Sequence, residues 1–310
     1  MRKMMWMVLL VSAQFGLTAG GNAWAIQFSA VPVAKNVYAF IGDTGMRSYE
    51  NEGMNANAGF IVTPAGVVVV DSGPSFQVAK AMHDAIRKVT RQPVKYVVNT
   101  GGQDHRWLGN GYFRQIGAEI VASRKARADM EARGAMELEA LRETTREKLA
   151  GTEAVYPARL FDQVETLRLG GEEIQVLYFG GGHTPGDSVV WLPKSRILFA
   201  GDLVFADRML GVLPFGSTRD WLVSFAEIEK LAPRLIVPGH GRVCDLERAR
   251  KDTRDYLALL RGHMKKALDE GQDLQAAITS LDQGAFKYLR HYELLNGGNA
   301  NRTYLEMESE

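Results

Sequence analysis

The chain has 310 residues, 46% of them hydrophobic, and a formal net charge of +1. A chain of this length and composition can bury a sizeable core and fits one large globular domain. The near-neutral charge argues against a protein that binds nucleic acid through a basic surface. The single cysteine, Cys244, rules out an intramolecular disulfide.

The N-terminus has the layout of a secretory signal peptide. Arg2 and Lys3 precede an apolar stretch from Met4 to Leu17, and Ala23 and Ala25 supply small residues at the two cleavage positions. The apolar stretch is too short to span a bilayer comfortably. We therefore predict cleavage after Ala25 and one mature domain over residues 26–310. Such a chain would be exported, to the periplasm if the organism is Gram-negative, with no stable membrane span after cleavage.

Short apolar runs alternate with helical patterns in the first half of the mature chain. The segment Phe76–Val89 has apolar residues close to helical spacing. The polar, proline-free segment Arg124–Leu149 predicts a long helix or helix pair with a solvated outer face. The runs that predict strands are Val37–Ile41, Gly59–Val62, Val67–Val70, Val94–Val98 and Glu119–Ala122.

The second half repeats this rhythm. Asp220 is a candidate N-cap for a helix that ends at Leu231, and Glu247–Asp269 is amphipathic. Two or three further helical pieces close the chain, so the C-terminal helices cover about residues 246–310. The predicted strands are Glu173–Phe179, Val189–Leu192, Ile197–Ala200 and Leu235–Val237. Two β-rich halves with helices between them predict a mixed α/β fold.

Three glycine-rich turns in the second half each carry a histidine or an aspartate. Residues 180–187 read Gly-Gly-Gly-His-Thr-Pro-Gly-Asp, residues 201–202 read Gly-Asp, and residues 238–241 read Pro-Gly-His-Gly. Each turn follows an apolar run, and glycine lets the backbone turn sharply where a side chain must enter a cleft. Histidine and aspartate are ligands for zinc and similar divalent metals. The pattern predicts one metal site that is assembled from the ends of several strands.

With these turns the chain resembles the metallo-β-lactamase-fold hydrolases, which include glyoxalase II. In that family a first signature, His-x-His-x-Asp-His, is followed by a histidine on a glycine-rich turn, then Gly-Asp, then Gly-His. His183, Asp202 and His240 match the last three positions. The resemblance implies a four-layer αββα sandwich. The segment at the first signature, residues 99–110, reads Asn-Thr-Gly-Gly-Gln-Asp-His-Arg-Trp-Leu-Gly-Asn and lacks the first two histidines.

Two registers of this segment against the signature are open. In the first, Asp104 and His105 are its Asp-His end, and Thr100 and Gly102 replace the two histidines. In the second, which needs no gap, Gly101 and Gln103 replace the histidines, His105 takes the aspartate position and Arg106 the last histidine. His105 is a ligand in both registers, and Asp104 only in the first.

The resemblance implies a candidate ligand set of Asp104, His105, His183, Asp202 and His240. Because the family's first metal site has lost two histidines, we expect one metal per chain, with zinc favoured over other divalent metals. Asp104 and His183 are also the catalytic candidates, His183 as a general acid or base near the metal. Candidates for supporting the ligands or binding substrate are Asp71, at the end of a hairpin similar to the family's opening one, Gln103 and Arg106.

The chemistry follows from a zinc with about three protein ligands and one open position. Such a zinc lowers the pKa of bound water to roughly 7 and polarises the bond under attack. We therefore expect a metal-dependent hydrolase that uses hydroxide on an ester, thioester, amide or lactam bond of a small molecule. The alternative is a non-catalytic accessory or binding protein with a degenerate site. A nuclease or phosphodiesterase fits least, because the basic excess and the full two-metal ligand set are missing.

Two motifs without chemistry of their own refine the resemblance. Asn51-Glu-Gly and the segment Asn299–Glu308, together with the altered signature, are similar to a periplasmic branch of the family that is associated with quinoprotein dehydrogenases or sulfur oxidation. The resemblance implies a periplasmic quinoprotein dehydrogenase as a partner.

Overall fold

The computed structural model describes residues 26–310, so the predicted signal peptide, residues 1–25, lies outside the described residues. Two β-sheets form the centre of the molecule. The first has seven strands in the order β1 to β7. Its strands are β1 Val31–Ala34, β2 Val37–Phe40, β3 Ala58–Thr63, β4 Gly66–Val70, β5 Val94–Asn99, β6 Glu119–Ser123 and β7 Arg159–Phe161.

The second sheet has five strands in the order β12-β11-β10-β9-β8. They are β8 Val164–Leu169, β9 Glu172–Tyr178, β10 Ser188–Leu192, β11 Ile197–Phe205 and β12 Leu235–His240. Strands β4 to β7 run parallel, as do β11 and β12. The carboxyl ends of parallel strands meet at one edge of a sheet, so residues that follow them can share a site.

The helices cover the outer faces of the sheets. They are α1 Phe76–Val89, α2 Asp104–Trp107, α3 Asn110–Gln115, α4 Arg124–Thr145, α5 Thr218–Leu231, α6 Leu246–Ala249, α7 Asp255–Asp269, α8 Leu274–Ser280 and α9 Tyr292–Glu308. Short 3₁₀ helices lie at Arg146–Leu149 and Gly284–Phe286, and a π-helical turn at Arg250–Arg254 joins α6 to α7. Within residues 26–310, no helix is both long and apolar enough to cross a membrane.

Three apolar layers hold this architecture together. Alternate residues of both sheets, such as Val68, Val98, Val190 and Phe199, meet between the sheets. The opposite face of the first sheet packs against α1 and α3, and the opposite face of the second against α5, α7, α8 and α9. Helix, sheet, sheet and helix therefore form the predicted αββα sandwich.

Most predicted elements are present, with shifted ends. Helix α1 has the predicted bounds, because Ser75 caps it by accepting a hydrogen bond from Val78 N. The predicted N-cap of α5 is wrong: Ser217, not Asp220, accepts from the helix backbone, so the helix starts at Thr218. The long helix after β6 ends at Thr145 and continues as a 3₁₀ turn. Strands β1, β7 and β8 were not predicted, because most of their residues are only half-buried or exposed and the strands lack an apolar run.

Candidate metal centre

Three buried side chains from different elements converge between the sheets. His105 lies in α2, just after β5, Asp202 lies within β11, and His240 ends β12. His105 Nε2 is 3.1 Å from Asp202 Oδ2, and His240 Nε2 is 3.2 Å from Asp202 Oδ1. One ligand atom from each residue lies within 4.8 Å of the others. The structure thus brings together three of the five predicted ligands.

The spacing of these atoms suits a metal. Two ligands that are each 2.0–2.1 Å from a tetrahedral zinc lie roughly 3.3 Å apart. The observed separations of 3.1 and 3.2 Å from the Asp202 oxygens to the two imidazoles are close to that value. Two imidazoles and a carboxylate also form a normal zinc ligand set that leaves a fourth position open. The residues therefore fit a single divalent metal.

The proton on His240 points to the same conclusion. Its Nδ1 lies 2.7 Å from the carbonyl oxygen of Asn55, which accepts a hydrogen bond in the tautomer that carries the proton on Nδ1. Burial lowers the pKa of His240 to about 3, so the ring carries only one proton at neutral pH. The unprotonated Nε2 then faces the carboxylate of Asp202, and a cation between them would remove this repulsion. A backbone carbonyl on the far nitrogen is a usual support for a metal-binding histidine.

Arg106 fixes Asp202 from the other side. Its guanidinium donates to both carboxylate oxygens of Asp202, at 2.9 and 2.5 Å, and to Asp71 Oδ2 at 2.9 Å. Burial alone would raise the pKa of Asp202, but the charges of Arg106 and His105 hold it well below its usual value. Asp71, predicted as a supporting residue, thus acts through Arg106. Arg106 is 1% exposed and belongs to the support of the site, not to its open surface.

Gly239 is required for this arrangement. A Cβ at this position would lie 2.4 Å from the carbonyl oxygen of Gly201 and 2.7 Å from Arg106 Nη2. Any larger residue would push β12 away from β11 and from the guanidinium. The glycine before His240 therefore allows the backbone to approach closely, in addition to forming the turn that the sequence predicted.

The structure places Asp104 outside the ligand group. Its carboxylate accepts a hydrogen bond from Arg47 at 2.5 Å and another from His105 N at 2.7 Å. Burial alone would raise the pKa of Asp104, but Arg47 and His105 hold it below its usual value. Asp104 Oδ1 lies 3.4 Å from His105 Nδ1, the ring nitrogen that does not face Asp202. Asp104 is thus paired with Arg47, whose Nη2 lies 3.2 Å from His105 Nδ1, and it is not one of the three residues that converge at Asp202.

His183 is also outside the ligand group. Gly211 O lies 2.9 Å from its Nδ1, and the side-chain amide of Gln103 lies 2.9 Å from its Nε2. Burial lowers the pKa of His183 to about 4, so the imidazole is neutral at pH 7. Gln103 thus contacts Nε2 of His183, the nitrogen through which a family member would bind the first metal.

These contacts favour the gap-free register of the altered signature. Thr100 donates to Asp71 through both its backbone and its hydroxyl, so it does not point towards the metal centre. Gln103, by contrast, faces His183 in the place of a missing histidine. At Gly101 a Cβ would lie 2.6 Å from Asp187 Oδ1, which leaves no room for an imidazole. His105 then stands at the aspartate position, and Arg106 at the last histidine of the signature.

A cavity of about 320 Å³ opens above the metal centre. His105, His183, His240 and Gln103 lie in its wall, together with residues that the sequence did not single out: Met46, Arg47, Asn55, Phe205, Arg208, Gly211, Leu213 and Leu295. Arg208 is 7% exposed, and its Nη1 lies 3.0 Å from His240 Nδ1. Its Nε is buried without a hydrogen-bond partner. Burial lowers the pKa of Arg208 to about 10, so it remains charged at neutral pH.

Asn299, in α9, supports the site from outside the sandwich. Its side chain accepts a hydrogen bond from Val212 N at 2.7 Å and donates to Leu210 O at 2.8 Å. Between these two residues lies Gly211, whose carbonyl contacts His183. The C-terminal motif was noted in the sequence, but no pattern could connect it to a turn nearly 90 residues earlier.

The fold and the site define a metal-binding hydrolase-type αββα sandwich, and comparison with known proteins agrees. Residues 51–240 match the profile of the Metallo-beta-lactamase superfamily. The chain is 30% identical to Metallo-beta-lactamase type 2 of Elizabethkingia meningoseptica over 77% of this chain and 89% of that protein. It is 27% identical to Metallo-beta-lactamase IND-1 of Chryseobacterium indologenes over 72% and 87%, respectively. The chain therefore belongs to the metallo-beta-lactamase superfamily.

Solved structures confirm the fold. DIM-1 metallo-beta-lactamase superposes with a TM-score of 0.59 at 21% identity, over 74% of this chain and 97% of that one. A metallo-beta-lactamase from Pontibacter korlensis gives a TM-score of 0.57 at 23% identity, over 72% and 95%. The relatives indicate a metal-dependent hydrolase, and the centre of His105, Asp202 and His240 is its candidate metal site.

Proposed function

We propose that this protein is an exported, zinc-dependent hydrolase that holds one metal and acts on an ester, thioester, amide or lactam bond of a small molecule. The observation that carries the proposal is the group of His105, Asp202 and His240 at the base of a cavity. The ligand set, the spacing and the unprotonated nitrogen of His240 all suit a divalent cation.

When bound, zinc would supply a Lewis acid and lower the pKa of a water molecule in its open position. Neighbouring residues of the protein hold the metal ligands in place. Arg106 and Asp71 fix the carboxylate of Asp202, and Asn55 fixes the ring of His240. His183 is neutral at pH 7 and borders the cavity, so it can accept a proton there once Gln103 releases Nε2.

The charge of the cavity supports a substrate with an anionic group. Arg208 lies in the wall with no carboxylate bound to it among the described residues, and Arg47 lies opposite with its charge shared with Asp104. A carboxylate on the substrate would pair with the guanidinium of Arg208 in the cavity wall. The relatives are named metallo-beta-lactamases, and β-lactams that carry a carboxylate would pair with Arg208 in this way. Other carboxylates with a hydrolysable bond would do the same.

Metal analysis tests the proposal. Purified wild-type protein should contain about one zinc per chain, and His240→Ala should contain almost none. The matched control is His263→Ala, because His263 lies on α7 and its hydrogen bonds within residues 26–310 go to Ala277 O and Ser280; it should keep the metal. Equal metal contents in the wild type and His240→Ala would refute the site.

Turnover is tested separately on a panel of esters, thioesters, amides and β-lactams, each with and without a carboxylate. We expect hydrolysis that is lost with zinc removal and restored by zinc. Arg208→Ala should raise KM for the carboxylate members more than for the neutral ones. Equal effects on both groups would exclude Arg208 as the anion site.

A second function has its own supporting observation. Gln103 occupies His183 and no imidazole fits at Gly101, so the first metal site of the family is closed. A non-catalytic binding or accessory protein would tolerate this loss. Full zinc content without turnover on the panel would favour this function over the hydrolase.

The cellular setting is also a proposal. The signal-peptide pattern supports export, and the small motifs at Asn51 and Asn299 support membership in the quinoprotein-associated branch. A periplasmic quinoprotein dehydrogenase would then be the partner. Co-purification of tagged protein with such a dehydrogenase from the periplasm tests this association, and recovery of the protein from the cytoplasm alone would contradict it.

A further inference from the structure

We propose that the mature chain begins at Ile26 and that the buried carboxylate of Glu52 binds its α-ammonium group. The inference rests on the proposed export and cleavage after Ala25, and it does not depend on hydrolase activity. It assigns a role to the Asn51-Glu52-Gly53 motif, which the metal centre does not use directly.

The carboxylate of Glu52 lies at the first described residue. Glu52 is 3% exposed, and its Oε1 is 2.9 Å from Ile26 N. Lys148 Nζ forms a longer salt bridge to the same oxygen at 3.6 Å and also donates to Tyr49 O at 2.9 Å. A buried carboxylate is costly unless a charge is paired closely with it. The peptide N–H of an unprocessed chain supplies a hydrogen bond but no charge.

The backbone of Glu52 is held in an uncommon conformation. Its φ is 54°, in the left-handed region that non-glycine residues rarely adopt, and Gly53 follows with φ 77°. A non-glycine residue stays in this region only where its surroundings hold it. Here the backbone N–H of Glu52 donates to Tyr49 O at 3.3 Å, and the side chain reaches Ile26. The turn thus presents the carboxylate to Ile26 N.

Cleavage would change the chemistry at this contact. A signal-peptidase-type protease hydrolyses the amide between Ala25 and Ile26, consuming one water. Ala25 leaves as a carboxylate, and Ile26 keeps the nitrogen, which becomes an ammonium group at neutral pH. The nitrogen then has three donors and a positive charge in place of one neutral donor. Its bond to Glu52 becomes charge-assisted, which is roughly twice as strong as a neutral one.

The same loop reaches the metal centre. The side chain of Asn51 accepts from Ser48 N at 2.9 Å and Gly53 N at 3.0 Å, which ties Glu52 to the preceding residues. Arg47, in this loop, holds Asp104, and Asn55 holds His240 through its carbonyl. An ammonium–carboxylate pair at Glu52 would therefore stabilise the loop that orients two groups of the site. Processing and site assembly would be linked.

The test uses the full chain, exported with its own leader in a Gram-negative host. We compare the wild type with a variant that has Gly-Ser inserted between Ala25 and Ile26, each with and without Glu52→Gln. The control Glu50→Gln makes the same change two residues away, on an exposed side chain. Intact mass identifies the N-terminus, and thermal unfolding is measured by circular dichroism.

We expect a wild-type mass that begins at Ile26. The insertion should lower Tm by roughly 4 °C or more, Glu52→Gln should lower it similarly, and the double change should cost little more than either alone. Glu50→Gln should leave Tm unchanged. Another N-terminus, an unchanged Tm with the insertion, or additive effects would overturn the inference. If Glu52→Gln does not fold, the insertion alone decides. Zinc content of the wild-type sample, in which the contact is unaltered, tests the proposed metal site separately from this inference.

Discussion

The substitution Arg106→Met tests the buried charge network behind the metal centre. Methionine keeps most of the side-chain volume, so a cavity contributes little to the change. The guanidinium, however, is 1% exposed and pairs with Asp71 and Asp202, and both carboxylates would lose this buried arginine partner. Breaking a buried ion pair by removing one partner costs about 3–5 kcal/mol. At about 2 °C per kcal/mol for a chain of this size, Tm should fall by about 6–10 °C.

The measurement is urea unfolding with a chelator present, so that metal binding does not contribute. The control is Arg124→Met, because Arg124 pairs with Asp162 on the surface, where both side chains are more than half exposed. An exposed pair contributes about 1 kcal/mol or less. The two variants therefore remove the same group from the same kind of contact and differ in burial.

The pH dependence separates charge from packing. Burial already raises the pKa of Asp71, even with Arg106 beside it, and without Arg106 both carboxyls should have folded-state values above their unfolded ones. The folded variant then binds more protons than the unfolded chain, so its stability falls as pH rises above about 4. The loss of free energy of unfolding caused by Arg106→Met should thus be larger at pH 8 than at pH 5. A loss below 1 kcal/mol, or an equal loss at both pH values, would refute this account.

Two further predictions concern residues outside the ligand group. Asn299→Ala removes the hydrogen bonds to Leu210 and Val212. It should lower the free energy of unfolding in urea by about 2 kcal/mol while zinc content is kept. Asn301→Ala, on the same helix, is the control, and an equal loss of stability in both variants would contradict the supporting role of Asn299. Burial, and then the charge of Asp104, raise the pKa of Glu137 to about 8. Between about pH 4.5 and 8 the folded state therefore keeps a proton on Glu137 that the unfolded chain has lost. The stability of the protein then falls as pH rises through that range. Glu137→Gln should flatten the fall measured by urea unfolding between pH 6 and 9, and an unchanged slope would show that Glu137 is not its source.

The sequence pattern singles out site residues that lie in or next to apolar runs. His240 ends β12, so the end of that strand fixes where its side chain lies. Asp202 was expected on a turn after residues 197–200, but β11 continues to Phe205 and places Asp202 within the strand. Helix α1 was predicted to the residue, because apolar spacing and a serine cap agree. The spacing of apolar residues and a capping serine are both local features, so the sequence alone reveals them.

The assignment of Asp104 and His105 could not be made in the same way. The two residues are adjacent in the four-residue helix α2, and successive residues on a helix point about 100° apart. Which of them faces Asp202 depends on the rotation of α2. That rotation is fixed from outside: Trp107 Nε1 donates to Gly102 O, and its ring packs where a side chain at Gly134 would lie. The packing of Trp107 against Gly134 joins separate parts of the chain, and no periodicity reveals it.

Charge balance supports the proposal that this centre holds one cation and not two. Asp71, Asp202 and Arg106 together carry one negative charge, His105 and His240 are neutral as ligands, and Arg47 neutralises Asp104. With the charge of Arg208 included, one divalent metal leaves two positive charges, which anions in the cavity can offset. A second metal would add two more charges to a buried site that already contains Arg208, with Gln103 in place of an imidazole and no free carboxylate among the described residues that line the cavity. The two missing histidines and the buried Arg208 therefore both disfavour a second metal.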